Sequence, residues 1–411
     1  MKILVYEHVS GGGFAEKPIP PSILCEGFGM LRTLTADLRG AGHSVTTFLD
    51  SRIRIFQPPL EADQVTSISS SSQIQPMMRK KARAVDAACI VAPESNGTLE
   101  SIVEEFEEEC VPLANGSSRT IAAVSKKDSM LEHVRKIGAS IPDSLTLNVH
   151  DDVLETSRVV AERIGFPAVL KPESDAGMAG LSKINDKSEV KEAVDKIKQE
   201  STSHRFIAQE YIQGVPASVS LISTGEEAAA ISLNKQEILV SAGNASSRYD
   251  GGEVPLESEF KPETMSVAKR VVESYSGLRG YVGVDFVLTK DGPVVIEVNP
   301  RLTTSYIGLR EVVLLNPAQA MLDAALSHKL PSDTTINGCA CFAKVQTTKM
   351  SSNCLRATFK MKSVVSPPFP VSSGPRAYAL VSSYGATLHE AALRLKETER
   401  NLHDISRLGG T

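Results

Sequence analysis

The chain has 411 residues, too many for one ordinary hydrophobic core, so roughly two to four domains are expected. Hydrophobic residues make up 41% and charged residues 23%, the balance of a globular protein in water. A net charge of -5 lacks the basic excess that binding to a phosphate backbone demands, so nucleic acid is not an expected partner.

The opening run "KILVYEHV", bounded by "SGGG", predicts a buried parallel strand, and "EGFGMLRTLTADLRGAG" has helical spacing with Gly at its end. "HSVTTFLD" and "VDAACIVAPE" repeat the strand pattern, "GTLESIVEEFEEE" reads as a helix, and the polar "TSISSSSQIQP" between them reads as a surface loop. This alternation predicts an open parallel α/β domain over residues 1–117. A second unit, 118–213, holds the helices "DSMLEHVRKIG", "DVLETSRVVAERIG" and "SEVKEAVDKIKQE" and the strands "FPAVLKP" and "RFIAQEYI". A third, 214–330, is rich in strands and ends on "GVDFVLTKDGPVVIEVNPR". In the remainder, 331–411, "CACFAKVQTT" and "RAYALVSSYGA" read as strands and "TLHEAALRLKETERNL" as a helix, an α/β extension packing on the third unit.

The opening apolar run is too short for a signal core or a membrane span and no later segment reaches spanning length, so a cytoplasmic location without membrane attachment is expected. Cys25, Cys89, Cys110, Cys339, Cys341 and Cys354 form no Cys-x-x-Cys pair and no zinc spacing, and read as thiols of a reducing compartment.

The segment from Gly283 to Arg301 carries acids inside apolar strands. "Lys-Asp-Gly" is a turn signal. Glu297 and Asn299, two apart, share a face of their strand. Asp285 joins that face only with an odd-length connection; a three-residue loop from Lys290 to Gly292 would set it across from Glu297. Converging carboxylates repel and are costly to bury unless a cation neutralises them, and hard oxygen ligands of this kind suit Mg²⁺ or Mn²⁺. The plainer alternative is a polar face of an ordinary hairpin.

"GVDFVL" with "VVIEVNPR" resembles the metal-binding signature of the ATP-grasp superfamily, in which an Asp and a Glu-x-Asn on neighbouring strands hold the metals of Mg-ATP. The resemblance spans about Lys126 to Arg301 and implies two α+β lobes enclosing ATP, behind the N-terminal α/β domain. By the same resemblance, "VLKP" carries a phosphate-contacting lysine, Lys171, and "ESDAGMAG" is similar to the flap that folds over phosphates, with Ser174, Gly177 and Gly180. "AQEYIQG", with Gln209, Glu210, Tyr211 and Ile212, resembles the linker that binds adenine. In "VSKKDSML" the pattern Ser-Asp-Lys lies over Ser125, Lys126 and Lys127, which implies Lys127 as a further phosphate lysine, with Lys126 replacing the usual Asp. Many members place an acid for the ribose hydroxyls where this chain has Ala217. Lys ammonium groups and backbone amides of a Gly-containing loop are the chemistry that phosphate requires; read alone, Lys171 is equally a strand-end lysine and "SDAGMAG" a plain loop.

The superfamily's usual reaction joins a carboxylic acid to an amine through an acyl-phosphate and releases ADP and phosphate, and the resemblance implies Arg301 as the group that steadies the acyl-phosphate. "KILVYEHVSGGGF", "CEGFGMLRTL" and "SSRYDGGEVPL" look most like the group that includes tyramine–glutamate ligase, which implies glutamate as the acid. On that likeness Glu7, Ser10, Gly11 and Gly12 line an acceptor pocket with Arg248 as a bidentate carboxylate clamp, although an exposed loop arginine is an equal reading. The expected partners are a small acid and an amine, with a two-fold homodimer as the base-rate assembly. Two alternatives are an ATP-grasp kinase that stops at phosphoryl transfer and a catalytically silent nucleotide-binding module. A nicotinamide oxidoreductase is disfavoured because "SGGGF" lacks the Gly-x-Gly-x-x-Gly spacing.

Overall fold

The computed structural model describes residues 1–173, 178–243, 245–372 and 374–408. Strands β1 (Lys2–Glu7), β2 (Ser44–Asp50), β3 (Gln64–Ile68) and β4 (Ala87–Val91) form a parallel sheet in the order β3-β2-β1-β4. Strands β1 and β4 are buried almost throughout, which is why they read as unbroken apolar runs. The stretch expected to be a loop instead contains the C-terminal part of β3, followed by a capped turn at Ser71–Gln73 and a helix at Ile74–Ala82. At the sheet edge only Ile68 of β3 is fully buried, so polar residues are tolerated and the apolar pattern is lost.

A second sheet is antiparallel, with β5 (Ser144–Asn148), β6 (Ala168–Pro172), β7 (Ser182–Ile184) and β8 (Arg205–Glu210) in the order β5-β8-β6-β7. The third has eight strands: β9 (Val215–Thr224), β10 (Ala228–Leu239), β11 (Arg248–Val254), β12 (Arg279–Thr289), β13 (Gly292–Asn299), β14 (Cys339–Thr348), β15 (Val364–Ser366) and β16 (Arg376–Gly385). Their order is β13-β12-β9-β10-β11-β14-β16-β15, so the C-terminal strands continue this sheet, and the helix Leu388–Leu408 packs against β14 and β16. The expected class, a parallel α/β domain followed by α+β lobes, is the architecture observed. Among the described residues no helix is long and apolar enough to cross a membrane.

Helix Pro21–Gly40 joins the first and third sheets. Pro21 opens it, where a missing amide donor costs nothing. Leu24, Phe28, Leu31, Leu34 and Leu38 enter a core shared with Ile222, Ile307, Leu309, Phe342 and Leu380. Glycine inside a helix costs about 1 kcal/mol relative to alanine, yet two lie here. A Cβ at Gly27 would come within 2.7 Å of the Glu7 carboxylate, and one at Gly29 within 2.7 Å of Leu380, so both glycines buy close approach on opposite sides. Lower on the same helix, Asp37 accepts from the Tyr306 hydroxyl at 2.6 Å and takes a forked pair from Arg310. Tyr306 is fully buried and Asp37 nearly so.

Removing one partner of such a pair leaves the other charge stranded in a dry site, which typically costs about 3–5 kcal/mol; Arg310 keeps a quarter of its side chain in water, which lowers the figure. Asp37→Ala is therefore expected to destabilise the fold by about 2–3 kcal/mol, read from urea-induced unfolding, with Asp37→Asn losing less because its amide oxygen still accepts from Tyr306.

Candidate active site

The acidic hairpin is β12–β13. Thr289 pairs with Gly292, so the connection is the two residues Lys290 and Asp291 rather than the three expected. A regular ladder from that turn would set Asp285 against Ile296 and send Glu297 to the other face. A β-bulge between Asp285 and Phe286 absorbs Ile296 as an extra residue and restores Asp285 opposite Glu297. The expected pairing is thus reached by a different device. The Asn299 amide donates to one Asp285 oxygen at 3.0 Å and the Gln236 amide, from β10, to the other at 3.0 Å.

Burial and then the nearby Glu297 charge push the Asp285 carboxyl up to about 7. Burial alone would raise Glu297 as well, but Lys127, then Lys171 and Arg301, outweigh it and hold Glu297 below the ordinary range. Lys127, at the start of the helix Lys127–Lys136, stands 3.3 Å from Glu297. Lys171, in β6, is buried and donates to the Gln209 side-chain oxygen at 3.0 Å. Desolvation, helped by the like charge of Lys127, brings its ammonium down to about 8. The Gln209 side-chain nitrogen is buried without a partner, a donor awaiting an acceptor.

All of these groups line one cavity of about 470 Å³ between the three sheets, within the range of small-molecule sites. Glu210, Tyr211 and Ile212 form part of its wall, with the Lys183 ammonium 3.9 Å from the Tyr211 ring centre. The Glu210 and Tyr211 amides donate to the carbonyls of Asp143 and Pro167. Arg301 lies in the wall with its Nε 3.0 Å from Glu94, which follows β4 at the C-terminal edge of the parallel sheet, the usual ligand edge of such sheets. Glu94 and Arg301 thus form an ion pair, and Arg301 Nη1 also donates to the Leu302 carbonyl at 3.2 Å. Arg301 is held above the ordinary guanidinium range, the attraction of Glu94, Glu297 and Asp285 exceeding the effect of its burial.

Several expected site residues are elsewhere. Ser174 and Gly177 lie outside the described residues. Gly180 is not in the wall: its amide donates to Glu200 at 2.7 Å, while the neighbouring Met178 and Ala179 do face the cavity. Glu7 and Ser10 are buried but turned inward, Glu7 accepting from the Val9 amide and from the Ser10 amide and hydroxyl, so this acid shapes its own loop. Burial raises the Glu7 carboxyl despite those bonds. Gly11 and Gly12 serve the same loop; Gly12 has φ +104 and sits where a Cβ would strike Ile68. Arg248 points to solvent and pairs with Asp250 at 2.6 Å, so it is no clamp for this cavity. Ala217 is fully buried in the core and is not part of the cavity wall, although its neighbour Pro216 is. Glu26, Glu94, Gln236, Tyr249 and Lys344 line the wall unforeseen: Glu26 and Tyr249 sit within the quoted stretches "CEGFGMLRTL" and "SSRYDGGEVPL" without having been singled out, and no local motif marks the other three.

The acid pair fits a divalent cation. Two carboxylates and the Asn299 side-chain oxygen are hard donors, and the raised Asp285 reflects burial and then the charge of Glu297, both of which a cation would offset. A proton held by folded Asp285 and lost by the unfolded chain makes stability fall as pH rises from about 4 to about 7. In metal-free buffer, Asp285→Asn should therefore melt a few degrees above the wild type at pH 8, with the gap closing by pH 4.

Residues 124–305 match the ATP-grasp domain family and residues 43–121 match the pre-ATP-grasp domain. The chain is 27% identical over 330 residues to tyramine–L-glutamate ligase of Methanocaldococcus jannaschii, covering 78% of this chain and 87% of that one. Its fold resembles the biotin carboxylase of Campylobacter jejuni, solved with an ATP analogue, at a TM-score of 0.73 and 13% identity over 96% of this chain and 90% of the other. It also resembles an L-amino acid ligase from Bacillus licheniformis, with a TM-score of 0.66, 16% identity and 98% of each chain covered. The hairpin geometry and the sequence matches thus make residues 124–305 an ATP-grasp domain, in a carboxylate–amine ligase related to the tyramine–glutamate ligase group.

Proposed function

We propose that the chain joins a carboxylic acid, glutamate on its likeness to tyramine–L-glutamate ligase, to an amine through an acyl-phosphate, releasing ADP and phosphate. The observation that carries this reading is the Asp285–Glu297 pair facing Lys127 and Lys171 across one cavity. The adenine would lie against Glu210, Tyr211 and Ile212, meeting the Glu210 carbonyl and the Ile212 amide, with the orphaned Gln209 nitrogen as a further donor. Lys127 and Lys171 would bind phosphate oxygens, an anion that also repays the cost of burying Lys171.

Asp285, Glu297 and Asn299 would hold Mg²⁺ or Mn²⁺, which when bound supplies charge neutralisation on the phosphates. The substrate carboxylate attacks the γ-phosphorus and ADP leaves; the neutral amine then attacks the acyl carbon, phosphate departs and the nitrogen gives up a proton. Arg301 is the group we assign to the oxyanion of both steps, since it brings a positive charge into the cavity wall beside the hairpin acids. The amine is not specified by any contact described above.

ADP release should require both an acid and an amine, tested with L-glutamate against a panel of amines including tyramine, with the amide identified by mass spectrometry. ADP formed without amine and with no amide would point to a kinase instead. Glu297→Gln and Asp285→Asn should each lower turnover by roughly a hundredfold or more with an unchanged circular-dichroism spectrum; near-normal activity in both would overturn the site.

A further inference from the structure

The cavity has a second charged end. Glu26, from helix Pro21–Gly40, and Lys344, from β14, meet at 2.8 Å with side chains 20% and 7% exposed, and both face the same cavity as the hairpin acids. The Thr304 hydroxyl donates to the other Glu26 oxygen at 3.0 Å, and Lys344 also donates to the Ser22 hydroxyl at 3.0 Å. The Tyr249 ring centre lies 5.7 Å from the Lys344 nitrogen. Tyr249 is partly buried and lines the same cavity as Glu26, Lys344 and Asp285.

Nothing in the ATP reading uses this pair. Taking two charges out of water is costly, and an ion pair in a cavity wall is weak evidence for stability alone. Its chemistry is that of a recognition site: one fixed positive and one fixed negative group lie side by side. A plain carboxylic acid entering here would pair with Lys344 and strand Glu26; a plain amine would do the reverse. An α-amino acid head group carries both charges on one carbon, so its entry exchanges one ion pair for two and leaves no charge uncompensated.

We propose that Glu26 and Lys344 form the head-group subsite for an α-amino acid, with the substrate ammonium on Glu26 and its α-carboxylate on Lys344. The side-chain carboxylate of a dicarboxylic amino acid then extends past Tyr249 toward Arg301, where it is activated. This rests on the ligase reading and names the class of its acid.

The test is steady-state ADP release at saturating Mg-ATP and amine, with L-glutamate, glutarate, which lacks the ammonium, and 4-aminobutyrate, which lacks the α-carboxylate. Each truncated acid should show a KM raised roughly ten- to hundredfold over L-glutamate in the wild type. Glu26→Gln should raise the KM for L-glutamate by a similar factor but leave that for glutarate unchanged, and Lys344→Met should spare 4-aminobutyrate, with the KM for ATP unmoved in both. The subsite is overturned if wild type uses the truncated acids as well as L-glutamate, or if each variant loses equally on the acid missing its partner group. A variant that no longer binds Mg-ATP has lost its fold, and the wild-type acid series then decides. ADP release with acids lacking an amino group but with none of the twenty common amino acids overturns this subsite alone; release with no acid overturns the ligase reading as well.

Discussion

Two carboxylates set opposite each other in the wall of a cavity repel, and the charges gathered around them answer that repulsion. Asp285 and Glu297 belong to one hairpin, but the charges that offset them come from other parts of the chain: Lys127 from the helix after residue 126, Lys171 from β6 in a different sheet, and Arg301 beside Glu94 of the parallel domain. Lys127 and Lys171 are what hold Glu297 below the ordinary carboxylate range while burial and the Glu297 charge push Asp285 up to about 7. The site is thus balanced against a ligand that brings both negative phosphate and positive metal.

Helix Pro21–Gly40 bears the mechanical side of the same arrangement. Its two internal glycines let it touch the Glu7 loop on one side and β16 on the other, and Asp37 ties it to the helix Tyr306–Val312. Glu26, between the glycines and the cavity, is positioned by that packing. Local helix propensity is sacrificed for close contact, a frequent price where an element must serve two neighbours.

Legibility of the sequence tracked how local each signal was. Continuous apolar runs marked β1, β2 and β4, and the alternation of strands and helices led to the correct fold class. Edge strand β3 escaped because only one of its side chains is fully buried. The acids of the hairpin were visible from spacing, but their pairing was attributed to loop length, whereas Ile296 in a bulge supplies the extra residue; bulges leave no dependable trace in composition. Glu7 and Arg248 carry local partners, Ser10 and Asp250, only a few residues away, which spacing alone did not foretell. Glu26 and Lys344 are separated by 318 positions, and no window of sequence could show that they touch.

The position of β14 in the large sheet has an implication for how this protein could have diversified. Because the strand carrying Lys344 is hydrogen-bonded on one side to β11 and on the other to β16, the far end of the chain is woven into the chamber wall rather than hung beside it. Exchanging C-terminal segments between relatives would therefore graft only one half of a pocket onto a foreign counterpart, so new selectivity is more accessible through point changes spread along the whole polypeptide than through shuffling of intact modules.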